Sequence, residues 1–374
     1  MKNISAMRLK GFIKKEALQV LRDPSSIGIA LVLPIVLLLI FGYGISLDAR
    51  HIPIGIVTEN KGPAINSFIS NFSNSEYFIP IRFEHVQGAK EAINQSRIQG
   101  FVWIKNDFER KLLAGASPNI SLVVNGVDAN TARLIEGYVQ GIWAKWLEQN
   151  MIQSGLEFSL PVQLEQRIWF NQEVRSKNFL VPGLIAIIMT LIGALLTALI
   201  IAREWERGTM ESLLVTPITV KEIILGKLIP YFVLGMAGML LSLVMALALF
   251  HVPFHGSFAI LFLASALFLT VALGMGLLIS TIAKSQFVAA QTAIIVTFLP
   301  AFILSGFIFD ISSIPNPIRT MTHIIAARYF VAILQTVFLA GNVWSVIVPN
   351  CAALAFMAFL FLFLVAKLTS KRLQ

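Results

Sequence analysis

The chain has 374 residues, of which 56% are apolar and only 13% charged, and its mean hydropathy is +0.78. So few charges cannot coat a soluble surface, which excludes a soluble domain and specifies an integral membrane protein. The net charge of +9 is not accompanied by a basic stripe with interleaved aromatics, so it reads as topological charge and not as a nucleic-acid footprint. The single cysteine, Cys351, lies in an apolar run and leaves no intrachain disulfide and no thiolate metal site.

In chain order, residues 1–25 predict a cytoplasmic amphipathic helix. Arg8, Lys15 and Arg22 recur on one face, and Leu9, Phe12, Ile13 and Val20 lie broadly opposite, interrupted by Glu16. The helix breaks at Asp23-Pro24. The first apolar run, Ser26–Ser46, has full membrane length and no small-x-small cleavage site, so it reads as a span and not a removed leader.

Residues 47–177 change character. Apolar bursts of strand length at 52–58, 78–84, 100–105 and 120–124 alternate with helical patterns at 64–72, 89–97, 108–114 and 131–149. This predicts a compact α/β domain inserted between spans 1 and 2. It carries no nucleophile elbow, zincin motif or phosphate-binding glycine loop. The spacing of Tyr138, Trp143 and Trp146 fits a packing stripe or a membrane-surface contact better than a ligand platform.

Five further runs are long enough to cross: Asn178–Ala202, Leu228–Phe250, Ser257–Ala283, Phe287–Phe309 and Trp344–Ala366. The fold class is thus an α-helical integral membrane protein of six transmembrane helices with an inserted extracytoplasmic α/β domain, and residues 178–374 hold spans 2–6. Lysines and arginines cluster in the N-terminal tail, after span 2, at Lys284 and at the C-terminus, which predicts that both termini are cytoplasmic. Between spans 5 and 6, the outer segment 310–343 contains a nearly span-length run at 324–340. A crossing there would put the basic C-terminus outside, so the run reads as re-entrant or interfacial. His251 and His255 straddle a proline in a short loop and read as loop histidines, not as a zinc pair.

The six spans so drawn contain no Asp, Glu, Lys, Arg or His. Ion-coupled carriers need such groups at membrane depth, and voltage sensors need arginines there. The spans offer Gly, Ala, Ser and Thr for close packing instead. No G-x-x-x-x-G-K-[ST] is present, so the chain does not hydrolyse ATP; if it moves cargo, another subunit supplies the energy from the cytoplasmic side.

The only inner loop large enough to receive that energy follows span 2. Five of its first nine residues, Arg203 to Glu211, are charged. Helical offsets predict pairing of Arg203 with Glu206, Glu204 with Arg207, and Arg207 with Glu211. Gly208 costs a helix about 1 kcal/mol relative to Ala and predicts a bend. Thr209 would cap a short second helix with an apolar face at Met210, Leu213 and Leu214. Thr216-Pro217 would turn the chain, and Thr219 to Glu222 would restart it as a capping box. Two readings fit: a short stiff helix over 203–216 that transmits motion, or an ordinary hairpin bend with solvated charges.

Arg203-Glu204-Trp205-Glu206-Arg207-Gly208-Thr209-Met210-Glu211, then Leu213 and Thr216-Pro217, resembles the R-E-x-E-R-G-T-x-E-x-L-x-x-T-P signature of type-2 ABC transporter permeases. Glu222, Gly226-Lys227-Leu228, the 304–309 and 328–341 stretches and parts of 101–132 look like the same family, in order, over nearly the whole chain. Thr58-Glu59-Asn60 and Asp310 depart from its usual loop residues. The resemblance implies a permease subunit of an exporter in the bacterial inner membrane, working as a homodimer or a heterodimer with a related permease. Two cytoplasmic ATP-binding subunits would carry the ATP and magnesium and would dock at the helix matching Arg203–Thr216. Long-form members with such an outer domain are often paired with a periplasmic adaptor and an outer-membrane channel, and their usual cargo is drug-like or lipid-like.

On this expectation Arg203, Glu204, Glu206, Arg207, Gly208, Thr209, Glu211, Leu213, Thr216 and Pro217 couple to the ATPase. Thr190, Thr197, Phe298, Phe302 and Ser305, on spans 2 and 5, would line an apolar cargo path. An ion-coupled secondary exporter, or a non-transporting membrane receptor or anchor, remains the alternative.

Overall fold

The computed structural model describes residues 2–44, 51–60, 62–113, 120–127, 129–153, 175–209, 219–283, 285–309 and 311–368. The chain forms two compact units, Leu47–Gln166 and the remainder, Met1–Ser46 with Arg167–Gln374.

The smaller unit is a four-stranded sheet with helices on both faces. Its strands are β1 (Ile52–Thr58), β2 (Phe78–Phe83), β3 (Gly100–Ile104) and β4 (Ile120–Val124), in the order β2-β1-β3-β4. β1 runs parallel to β2 and β3, and β4 is antiparallel to β3. Central β1 is apolar on both faces because both are covered. One face packs Ile54, Ile56 and Val102 against Phe68, Phe72, Phe108 and Trp146. The other packs Val57 and Phe101 against Ala89, Ala92 and Ile98. The aromatic stripe is core: Trp146 is buried and its Nε1 donates to Ser67 Oγ at 3.3 Å, while Tyr138 stacks on Tyr77 at 4.1 Å. The second helix of this unit stops at Asn94, short of the expected 97, because Ser96 turns into the left-handed region at φ 56°.

The larger unit is helical. An N-terminal helix, α1 (Lys2–Leu21), precedes the first apolar helix, α2 (Pro24–Gly44). With α3 to α6 assigned to the four helices of the sheet unit, the remaining long helices are α7 (Ser176–Glu206), α8 (Val220–Ala248), α9 (Phe258–Ala283), α10 (Gln286–Leu304) and α13 (Trp344–Leu368). Six helices, α2, α7, α8, α9, α10 and α13, have the length and apolarity to cross a membrane. The helices run past the apolar segments that announce them. The 31 residues of α7 span about 46 Å, more than the roughly 30 Å hydrocarbon core, so its charged end stands beyond the apolar layer.

Helix α7 is the axis of the bundle. Its most apolar window is 83% buried, against 22% for α2, α10 and α13. Small residues let neighbours approach it. Ala194, Ala198 and Ala202, one turn apart, pack on Ala289 and Ala293 of α10. Thr197 Oγ1 bridges to Leu273 O of α9 at 2.8 Å, and Ser280 Oγ accepts from the backbone of Ile201 and Ala202. A Cβ on Gly276 of α9 would collide with Thr197 Oγ1 and the carbonyl of Ala194.

Proline shapes α2. Pro34 has no N–H to give the carbonyl four residues back, Ala30 O, and the helix widens into a π turn over Gly28–Val32. That carbonyl lies where a Cβ on Gly238 of α8 would strike it. A second π turn, Ile294–Phe298, precedes Pro300 in α10.

The expected outer segment holds two helices meeting at 90°, α11 (Asn316–Ile324) and α12 (Ala326–Ala340), and the near-span-length run is α12. The elbow is closed by Arg328, which donates to the Thr322 hydroxyl, and by Tyr329 Oη, which donates to His323 O at 2.9 Å. Phe330 of α12 stacks on Phe268 of α9 at 4.2 Å. His255 Nδ1 lies 3.0 Å from Phe338 O, and His251 Nδ1 lies 3.2 Å from Leu249 O; each faces a backbone carbonyl.

Because backbone sits where its side chain would go, Gly276→Val should overpack the α7–α9 contact by about 1–3 kcal/mol. It should lower the unfolding temperature of the purified protein. Gly11→Ala, with nothing within 4 Å of the new methyl, should leave that temperature unchanged or raise it slightly.

Candidate functional site

The charged stretch after α7 begins as the sequence implies. α7 ends at Glu206, Arg207 closes it, and Gly208 turns the chain at φ +66°, a conformation that favours glycine. On the return, Thr219 and Glu222 form the capping box: Thr219 Oγ1 accepts from Glu222 N at 3.3 Å, and Glu222 Oε2 accepts from Thr219 N at 2.8 Å. Glu211, Leu213, Thr216 and Pro217, and with them the expected second helix, lie outside the described residues.

The charges of the first half are paired differently from the helical offsets. Arg203 Nη1 binds Asp23 Oδ2 at 2.7 Å instead of Glu206, and its Nε donates to Gln286 Oε1 at 3.4 Å. Glu204 binds Lys227 Nζ at 2.9 Å instead of Arg207, and takes the hydroxyl of Thr209, which therefore folds back onto α7. Glu206 accepts from Gln286 N at 2.7 Å and from the Gln286 side-chain amide. The reason is energetic. Pairs along a solvated helix contribute about 0.2–0.5 kcal/mol, too little to compete with partners held in place by packing.

These partners join the ends of several helices. Lys227, on the first turns of α8, is almost completely buried, with Nζ 3.3 Å from both oxygens of Glu16 on α1. Lys15 Nζ approaches Glu16 Oε1 at 2.8 Å, so two carboxylates and two ammoniums balance. Both ammoniums also lie over the Phe12 ring, at 5.5 and 5.9 Å. Gly226 makes the room, since any Cβ there would collide with the Phe12 ring. Glu16 interrupts the apolar face of α1 because that face, Phe12, Glu16 and Val20, is the one buried on the bundle.

At the start of α2, Asp23 caps the helix, accepting from Ser25 Oγ at 2.6 Å and Ser26 Oγ at 2.8 Å. Burial alone would raise its carboxyl. The hydrogen bonds from Ser25, Arg203 and Ser26, with the charge of Arg203, outweigh burial and hold it well below the usual carboxylate range. The stability this contributes is present above the ordinary carboxylate pKa and is lost only as pH falls through the lower native value. Glu206 sits against the first N–H of α10, where the helix dipole favours a negative charge. Sequence reasoning named Glu16, Asp23 and Lys227 for other features and gave none of them a pairing role, and it did not name Gln286. The one legible sign was Glu16 itself, an acid on an apolar face.

The residues expected along a cargo path fall into two groups. Thr190 and Thr197 are buried inside the bundle, their hydroxyls bound to carbonyls at 2.8 to 2.9 Å. On α10, Phe298 stacks on Phe302 at 5.6 Å, and Phe302 meets Phe41 of α2 and Phe307 at 6.3 and 5.8 Å. Ser305 is buried beside them in sequence, its Oγ unpartnered among the described residues. The structure stacks Phe298 on Phe302, while the hydroxyls of the α7 threonines are spent on backbone carbonyls.

A family profile described as ABC-2 family transporter protein matches residues 24–367. The chain is 45% identical over 372 residues to the "Probable multidrug ABC transporter permease YbhS" of Escherichia coli K12, covering 99% of both proteins. It is 28% identical to "Probable multidrug ABC transporter permease YbhR" of the same strain, covering 91% of this chain and 94% of that one. It is also 28% identical to "Inner membrane transport permease YhhJ", covering 80% and 79%. With the profile running from the first apolar helix to the last, and a charged elbow packed at their ends, the chain belongs to the ABC-2 family of transporter proteins as a multi-pass, non-catalytic permease subunit whose energy comes from an ATP-binding partner.

Proposed function

We propose that this permease exports drug-like or lipid-like amphiphiles across a bacterial inner membrane, with the elbow around Gly208 as the point where the partner subunits act. The observation that carries this reading is the set of ties between the elbow and its neighbours. Arg203, Glu204 and Glu206 reach to the cap of α2, to α8 and to α10, and Lys227 extends the ties to Glu16 of α1, so a push on the elbow moves those helix ends together. Roles divide by exposure. Glu206, Arg207, Gly208 and Thr209 are exposed and face a partner; Arg203 and Glu204 point inward and pass the motion on. Glu211, Leu213, Thr216 and Pro217 complete the contact in this proposal.

The multidrug names of the two E. coli relatives support the cargo class. Half-buried Phe298 and Phe302 on α10 suit a wall of the cargo path in this proposal, with Ser305 buried just past the end of that helix and Thr190 and Thr197 packing α7 within the bundle. The charge distribution supports cytoplasmic termini, an extracytoplasmic position for the sheet unit and a re-entrant course for α11 and α12. A homodimer or a heterodimer with a related permease would join two such subunits. ATP and magnesium would sit on the partner subunits, and the sheet unit is free to meet a periplasmic adaptor leading to an outer-membrane channel.

Arg207→Ala and Glu206→Ala should insert and purify like the wild type but stimulate ATP hydrolysis less in the reconstituted complex; full stimulation by both variants would remove the elbow from the mechanism. Lys227→Met should strand two buried carboxylates and cost about 3–5 kcal/mol in unfolding experiments. Adding Glu16→Gln and Glu204→Gln to Lys227→Met should restore much of that loss, and an additive triple variant would show that the three groups do not act as a unit.

A further inference from the structure

A cleft of about 580 Å³ opens beside the elbow. Lys15, Leu18 and Gln19 of α1 and Arg22, just past its end, line it together with Arg203 and Arg207 at the end of α7, and Asp23 contributes the only carboxylate among the described residues. Four cations against one acid give it a charge of +3 (4 − 1). Asp23 is already engaged by Arg203, Ser25 and Ser26, and Lys15 by Glu16. The guanidiniums of Arg22 and Arg207 thus share one cavity without a carboxylate partner among the described residues. Two like charges so placed are stabilised by an anion between them.

The level of the cleft indicates which anion. Arg22 stands just before the first apolar helix begins at Pro24, and Arg203 and Arg207 stand where α7 emerges from its apolar run. This is the height of lipid phosphates on the side rich in lysine and arginine. On the last turn of α1, just before Arg22, Leu18 and Leu21 are 46% and 66% exposed, and Leu18 lines the cationic cleft.

We propose that this cleft binds the phosphate of an anionic phospholipid, with Arg22 and Arg207 as the principal ligands, Lys15 and Gln19 as further donors, and Leu18 against the acyl chains. The bound lipid would hold α1 against the end of α7. The inference rests on the membrane placement of the spans and shares Arg207 with the proposed elbow, so it is tested at Arg22, which has no part in coupling.

The test uses the full-length permease, stripped of lipid and placed in phosphatidylcholine nanodiscs with increasing phosphatidylglycerol. Retained phosphatidylglycerol is counted by native mass spectrometry. The wild type should retain it, and Arg22→Gln should weaken retention about fivefold, the effect of one basic residue near a membrane surface. Gln19→Glu, which places a negative charge in the cleft, should act in the same direction. Lys10→Gln with Lys14→Gln, both exposed and outside the cleft, should retain lipid like the wild type. Equal loss in that double variant would mean diffuse surface attraction and would overturn the site. Displacement of the lipid by millimolar inorganic phosphate would overturn it in favour of a soluble anion. If Arg22→Gln kept its lipid but lost capture of the ATP-binding subunit, the cleft would be a protein dock and the proposal would fall. In pure phosphatidylcholine, Arg22→Gln should stimulate ATP hydrolysis like the wild type, which separates this outcome from a failure of coupling.

Discussion

A buried ammonium, that of Lys227, is the constraint around which the inner end of this permease is built. An amine removed from water needs anions at short range, and here Glu16 and Glu204 supply them from α1 and α7. Neither helix can move away alone without leaving charge unpaired in a poorly solvated place. The triad therefore specifies how α1 seats on the bundle, a task that apolar contacts such as Phe12 and Val20 leave degenerate, because one turn of sliding would bury similar area. Gly226 completes the specification by admitting the Phe12 ring at one place on α8.

The same arrangement shows how a membrane protein keeps ionisable groups without setting them deep in hydrocarbon. Its charged network occupies helix ends that extend past the apolar runs, on α7 and α8 alike. The interior of the bundle is held by hydroxyl-to-carbonyl bonds and small-residue contacts, which leave no charge to neutralise.

Elements defined by a local period were readable. The four strands begin where alternation predicts, and the six long apolar helices fall on the six apolar runs, because burial of apolar side chains decides both. The capping box at Thr219 and the turn at Gly208 were readable because their chemistry is local. Ion pairing was not. Sequence spacing proposed pairs within one helix, whereas Arg203 chose Asp23, far away in sequence, and Glu204 chose Lys227. Such partners are fixed by which helix ends meet, and no local pattern encodes that. The burial of Lys227 was not readable for a related reason: it stands just before an apolar run, where a lysine looks like an ordinary inner flank.

The alanines on α7 and α10 carry a mechanical implication. Ala194, Ala198 and Ala202 meet Ala289 and Ala293 methyl to methyl, with Leu195 and Ile279 packed at the edge of the contact. Bulky interlocking residues resist shear, because each must change rotamer as helices slip. Methyl against methyl presents a shallow, evenly corrugated track with nothing to rearrange. Such a contact offers little steric resistance between α10 and the axis of the bundle, so the hydrogen bonds of Gln286 to Arg203 and Glu206 are what fix the inner end of α10 along it.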